Sequence, residues 1–190
     1  YVGSDFSYQD YFQRAQVTSR PLISKGGISP ITNQPVAAAV MPLWDETAEF
    51  KGLVATNIKL ESLSLTLRKI INEYPPEEEF QVAIIDSSGQ IIAHPSSEQL
   101  LTELPGSQSN VVAAVLLGKA SNIIGVDESG REVLYSFVPI SSSGWGVIVS
   151  RPTRMAFASS TAFYRGVILI LVVFVGVGLM FWIGLNHQAI

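Results

Sequence analysis

The sequence predicts an α+β chain of two small units in series, followed by a C-terminal membrane-spanning helix. Three observations carry that expectation. Gly166 to Leu185 is apolar over 20 residues without one charged side chain. At about 1.5 Å of rise per residue it reaches roughly 30 Å, the thickness of a bilayer's hydrocarbon core. Upstream, the order helix, strands, strand-turn-strand, helix occurs twice, on either side of Tyr74-Pro-Pro-Glu-Glu-Glu-Phe80. Two prolines cannot continue a helix and an acidic triplet is well solvated, so the boundary falls there. The second copy closes on three strand-like runs joined by short glycine-containing turns, the pattern of an antiparallel meander.

Taken in order, Asp5 to Gln16 starts with a capping candidate, Asp5 or Ser7, and sets Tyr8, Tyr11, Phe12 and Ala15 at helical spacing. Pro21 to Ser24 and Pro35 to Pro42 are apolar runs bounded by proline and read as strands buried on both faces, with a Gly/Ser/Pro/Asn loop from Lys25 to Asn33 between them. Asp45 to Glu49 is a turn and Phe50 to Asn57 the next strand. Leu60, Leu63, Leu67, Ile70 and Ile71 recur every three or four residues, which predicts an amphipathic helix from about Lys59 to Asn72. Beyond the break come a strand at Gln81 to Ile85, a turn at Asp86 to Gly89 and a returning strand at Gln90 to His94. A helix over Asn110 to Leu117 follows, and then strands at Asn122 to Val126, Arg131 to Pro139 and Trp145 to Ser150. Pro152 suits a first helical turn, so an exit helix is expected over 152–165, running into the span at 166–185. Each unit is expected to hold about five antiparallel strands with helices on one face.

Composition excludes several functions. Net charge is −4 and the basic residues form no cluster beyond Arg151, Arg154 and Arg165, which argues against a nucleic-acid partner. Zero cysteines exclude a disulfide framework and thiolate chemistry. The two histidines, His94 and His187, stand on opposite sides of the apolar run, so no metal-binding cluster is expected, and Glu77 to Glu79 lacks the alternating oxygens and glycine of a calcium loop. No nucleophile-base set or phosphate loop can be assembled from spacing, and neither catalysis nor a cofactor is expected of this region. No start methionine or hydrophobic leader precedes Tyr1, so the 190 residues read as a piece of a longer protein.

Gly3-Ser-Asp-Phe-Ser-Tyr-Gln-Asp-Tyr-Phe12, Pro21-Leu-Ile-Ser24, Gln34-Pro-Val36, Pro42-Leu-Trp-Asp45 and Phe50-Lys-Gly-Leu-Val54 resemble, in order, the membrane-distal half of the double Cache sensor domain. Val82 to Pro95, Tyr135-Ser-Phe-Val-Pro-Ile140 and Gly144-Trp-Gly-Val-Ile-Val149 resemble its membrane-proximal half. The resemblance implies two PAS-like subdomains, 1–73 and 74–151, upstream of the second of two membrane helices. It also implies an extracytoplasmic location for residues 1–165 and a cytoplasmic linker, HAMP in many members, from 186–190. Arg151, Arg154 and Arg165 taken alone would place the N-terminal side in the cytoplasm, and the resemblance overrides that count. Family members feed histidine kinases, chemoreceptors, diguanylate cyclases and serine phosphatases, as homodimers. The implied role is a ligand-sensing module; the alternative is an ectodomain that recognises a periplasmic binding protein.

Mapped by the resemblance, the ligand residues are Tyr8, Gln9, Tyr11 and Phe12 on the first helix and Asn57 on the later strand, with Trp44 near in sequence. Amino-acid-binding members carry arginine where Gln9 stands and aspartate where Asn57 stands. Two neutral amides replace them here, which removes the charge-assisted fork on a carboxylate and points to a polar uncharged or weakly charged ligand, or to a cation held over the rings of Tyr8, Tyr11, Phe12 or Trp44. The same side chains would equally serve to fill a core. Trp145, Arg151 and Pro152 lie on the last strand and its exit, where a strand shift would move the following helix; Trp145 also suits a plain core position.

Overall fold

The computed structural model describes residues 5–76, 79–127 and 129–157. Up to Pro152 they form one compact unit built on two antiparallel sheets. The first helix, α1 (Asp10–Ala15), starts later than its periodicity suggests. Asp5 accepts the Ser7 amide at 2.8 Å in a local turn rather than capping the helix, and Gln9 takes the N-cap position without a side-chain cap. Of the expected aromatic face only Ala15 is fully buried; Tyr11 and Phe12 are half-buried and Tyr8 is exposed.

The N-terminal sheet has four strands: β1 (Leu22–Ile23), β2 (Gly27–Ile28), β3 (Pro35–Trp44) and β4 (Phe50–Lys59). β4 pairs along nearly all of β3, from Val36↔Lys59 to Trp44↔Phe50. β1 and β2 pair with Ala39–Val40 and Pro35–Val36, end to end on the other edge. The hairpin turn is fixed by Asp45, whose carboxylate accepts the amides of Thr47 and Glu49 and the Thr47 hydroxyl at 2.7–2.9 Å. Those hydrogen bonds, the Glu49 amide foremost, hold its pKa down to about 2. The apolar run of β3 is buried on both faces only at Ala37–Ala38; further along it alternates, leaving Met41 and Leu43 exposed. A central strand of a small sheet has too little covering chain to hide both faces over ten residues.

Helix α2 (Leu60–Ile71) follows directly. It turns Leu60, Leu63, Ser64 and Leu67 inward, whereas Ile70 is exposed at the end that outruns its neighbours. Leu60 is fully buried with Ala37, Ile92 and Trp145, in a core shared by residues of both sheets; burying a leucine contributes about 2 kcal/mol. Ser64 bonds back to the Leu60 carbonyl and accepts the His94 amide. Arg68 Nε donates to the Pro95 carbonyl at 3.0 Å, so α2 is tied to the chain leaving the C-terminal sheet.

That sheet runs in the order β6-β5-β9-β8-β7, with β5 (Gln81–Ile85), β6 (Ile91–Ala93), β7 (Ser121–Val126), β8 (Glu132–Ile140) and β9 (Trp145–Pro152). Helix α3 (Ser109–Leu116) sends Val111 and Val115 into a core with Ile85, Ile91, Phe137 and Ile148. The expected meander is therefore present as β7-β8-β9, with the Gln81–His94 hairpin added at the β9 edge. Pro152 departs from expectation: it is the buried last residue of β9, opposite Val133, and the helix α4 (Thr153–Ala156) begins after it. At a strand end proline forfeits little of the ladder. The apolar run 166–185, most of the exit helix and 186–190 lie outside the described residues; among the described residues no helix is long and apolar enough to cross a membrane.

Candidate functional site

A cleft of about 200 Å³ opens in the N-terminal half, where α1 meets the Ser24–Ile31 segment and the start of β3. It has room for about seven waters at roughly 30 Å³ each, or a molecule of amino-acid size. Three sequence-expected residues converge on it: Gln9 and Tyr11 from α1 and Asn57 from β4. Asn57 is opposite Ala38, and the short side chains of Ala38 and Val36 leave the space that longer residues would fill.

The wall facing α1 is mainly backbone. Ser24 Oγ donates to the Lys25 carbonyl at 2.8 Å and accepts the Ala38 amide at 2.7 Å, pinning the segment to β3. Buried Ser29 accepts the amides of Ile31 and Thr32 at its hydroxyl, which turns the chain back toward Pro35. Gly26 is required by proximity: a Cβ there would stand 2.7 Å from Ile92 Cγ2 and 2.9 Å from Leu101 Cδ2. Burial first, and Tyr8 second, push the Tyr11 phenol pKa up, so it is neutral and able to donate at physiological pH.

Tyr8, Phe12 and Trp44 do not line this cleft. Phe12 and Trp44 each pack edge-to-face on Phe50, with centroids 5.9 and 5.5 Å apart, and Trp44 Nε1 donates to the Thr18 carbonyl at 3.0 Å. Phe12 and Trp44 are thus spent on packing, and of the rings expected over a cation Tyr11 alone borders the cleft. The cleft instead carries two charges that sequence reasoning passed over. Lys25 lines it without an ion pair among the described residues, and Asp10 lines it 3.6 Å from Arg14. Both were visible, Asp10 beside Gln9 and Lys25 in a loop, but nothing local aims a loop lysine at a helix start.

The expected coupling residues all fall on β9. Trp145 is buried opposite Ile140, and its Nε1 has no hydrogen-bond partner among the described residues. Arg151 and Pro152 close the strand, opposite Leu134 and Val133. His94 is half-buried, its pKa pushed down by burial, and its Nδ1 accepts the Ser96 amide at 3.1 Å. Among the described residues no group of three or more His, Asp or Glu side chains could hold a metal ion.

No curated protein matches this sequence. Among solved structures it is similar to the extracellular domain of a histidine kinase, mmHK1S-Z3, at 15% identity and a TM-score of 0.68, covering 82% of this chain and 58% of that one. The periplasmic sensory domain of the Campylobacter jejuni chemoreceptor Tlp1 is similar at 14% identity and a TM-score of 0.62, over 80% of this chain and 57% of that one. The ligand-binding domain of Mlp24 with asparagine is similar at 16% identity and a TM-score of 0.59, over 84% of this chain and 62% of that one. The chain therefore spans less than two thirds of each of those domains. The family model described as Cache domain matches residues 1–160, most of the sequence, and the chain belongs to the Cache domain family.

Proposed function

We propose that this chain is the extracytoplasmic ligand-sensing module of a transmembrane signalling receptor. Its two PAS-like halves, divided near 74, stand outside the membrane and signal through the apolar run 166–185 to an output domain, within a homodimer. The observation that carries the reading is the convergence of Gln9, Tyr11 and Asn57 on one cleft. The ligand that suits it is a small polar solute of amino-acid size, met by two neutral amides and a phenol, with Lys25 and Asp10 beside them. The solved relatives hold ligands of that size, asparagine in Mlp24 and L-norvaline in Campylobacter jejuni Tlp3. Because arginine and aspartate are absent at positions 9 and 57, a free amino acid would be gripped here through Lys25 and Asp10 instead.

A thermal-shift screen of amino acids, amines and carboxylates tests this. A ligand at 100 times its dissociation constant should stabilise the fold by about 2.7 kcal/mol. Tyr11→Ala and Asn57→Ala are expected to abolish the shift while leaving the unliganded melt within a few degrees. A folded chain that answers no compound would shift the reading to a periplasmic binding protein, with the exposed strip Met41, Leu43 and Val54 on one sheet face as the surface to test.

Coupling is proposed to run through β9. Trp145 joins the shared core at one end of the strand, and Arg151 and Pro152 leave at the other. In a full-length reporter at matched expression, Trp145→Ala is expected to change the output bias by more than its loss of stability explains. A bias that tracks stability alone would return Trp145 to a packing role.

A further inference from the structure

The C-terminal half carries a separate cleft of about 280 Å³ on the face of its sheet that α3 covers. Register sets its floor: Gln81, Ser150 and Tyr135 are cross-strand partners on β5, β9 and β8 and so stand side by side on one face. Ala83 and Ile148, two residues further along β5 and β9, continue that face. Gln99 and Gln108, from the chain between β6 and α3, form the facing wall. A smaller pocket of about 40 Å³, which shares Gln81, Gln108 and Ser150 with the cleft, is bordered by Tyr135.

Tyr135 is 2% exposed; its hydroxyl makes no hydrogen bond among the described residues and is not one of the fully buried atoms, so it keeps access to the space beside it. A phenol O–H that borders this smaller pocket and has no protein partner is open to hydrogen-bond with whatever occupies the space. The side-chain amides of Gln81, Gln99 and Gln108 are likewise unused among the described residues. Each amide offers two donors and an acceptor, so the walls can both give and receive hydrogen bonds.

The charges, by contrast, are committed. Arg131 Nε meets Asp127 at 2.8 Å and its Nη1 meets Glu79 at 3.1 Å. Asp127 also accepts the amides of Ser129 and Arg131 in its turn. Arg151, beside the smaller pocket, is itself engaged. At the far end the His94 ring is neutral at physiological pH, since burial pushes its pKa down. A charged ligand would find no counter-charge that is not already taken.

We infer that this cleft is a second small-molecule site, which takes an uncharged solute bearing hydroxyl or amide groups and no more than about a dozen non-hydrogen atoms. It is independent of the N-terminal cleft, with which it shares no lining residue.

The test is isothermal titration of the full chain in detergent micelles with glycerol, ribose, glucose, myo-inositol and acetamide, against gluconate and glucosamine as charged counterparts. At least one uncharged compound is expected to bind. Tyr135→Phe and Gln81→Ala should each weaken it tenfold or more, whereas Tyr11→Ala leaves it unchanged. Tyr135→Phe keeps the ring in the core, and circular dichroism confirms that the variant is folded. Silence from every uncharged compound overturns the inference, as does tighter binding of a charged counterpart. Binding that survives both C-terminal variants, or that Tyr11→Ala removes, overturns it too; the last result would strengthen the N-terminal cleft as the site.

Discussion

Gly146→Ala is expected to destabilise the fold by about 3 kcal/mol, the upper end for overpacking, and so to lower the melting temperature by roughly 6–12 °C at this size. Gly146 is buried on β9 between Ile85 and Pro139, its cross-strand partners. A Cβ there would overlap Val115 Cγ1 and press on Ile85 Cγ1 at 3.4 Å. Val115 is 3% exposed on α3, and a β-branched side chain in a helix has essentially one rotamer, so it cannot swing aside. The helix would have to lift from the sheet. Val115→Ala in the same chain should recover part of the loss, a non-additive pair whose coupling a double-mutant cycle measures. Gly27→Ala is the control, since a Cβ there meets nothing within 4 Å; it should lie within about 0.5 kcal/mol of the parent. A Gly146→Ala melt matching that control would mean that α3 does not bear on β9 at this point.

Asp86→Ala is expected to cost about 3 kcal/mol or more, because it takes from four donors the one buried carboxylate that accepts them. Asp86 is fully buried. Its Oδ1 accepts the Ser88 amide at 2.8 Å, the Ser88 hydroxyl at 2.6 Å and the Gln90 amide at 3.2 Å, which shapes the β5–β6 turn. Its Oδ2 accepts the Gly26 amide at 2.9 Å, 60 residues away in the wall of the N-terminal cleft. Truncation leaves that half-buried amide, beside Ile92 and Leu101, without its acceptor. Asp86→Asn should recover about half of the loss, since one amide oxygen can still accept while the NH2 must face a donor. Chemical denaturation at neutral pH measures both variants. If Asp86→Ala unfolds at the parent's midpoint, the turn holds itself and the bridge to Gly26 contributes nothing.

Asp86 also marks where sequence reasoning stops. As a turn residue it is legible from Asp86-Ser-Ser-Gly89, and the structure has that turn. Its second role, holding Gly26, has no local signature because the partner lies 60 residues upstream. The ligand residues divide in the same way. Gln9, Tyr11 and Asn57 meet in one cleft, whereas Phe12 and Trp44 are drawn to Phe50, an apolar neighbour that competes for the same rings. Lys25 enters the cleft through the fold of the Ser24–Ile31 segment, which side-chain bonds at Ser24 and Ser29 decide, and meets Asp10 from α1 there.

What the sequence determined by itself is whatever depends on near neighbours along the chain. The α+β class, the strands and turns of the C-terminal meander, helices α2 and α3 to within two residues, and the exclusion of disulfide chemistry all follow from periodicities of two and of three to four, from turn residues and from composition. The tertiary structure alone decided which residues share a cavity, which buried donors lack partners and which ion pairs are already spent. Those properties depend on strand register and on contacts that close long loops. A shift of one residue in register would turn Tyr135, Ser150 and Gln81 to the opposite face while leaving every local pattern in the sequence unchanged.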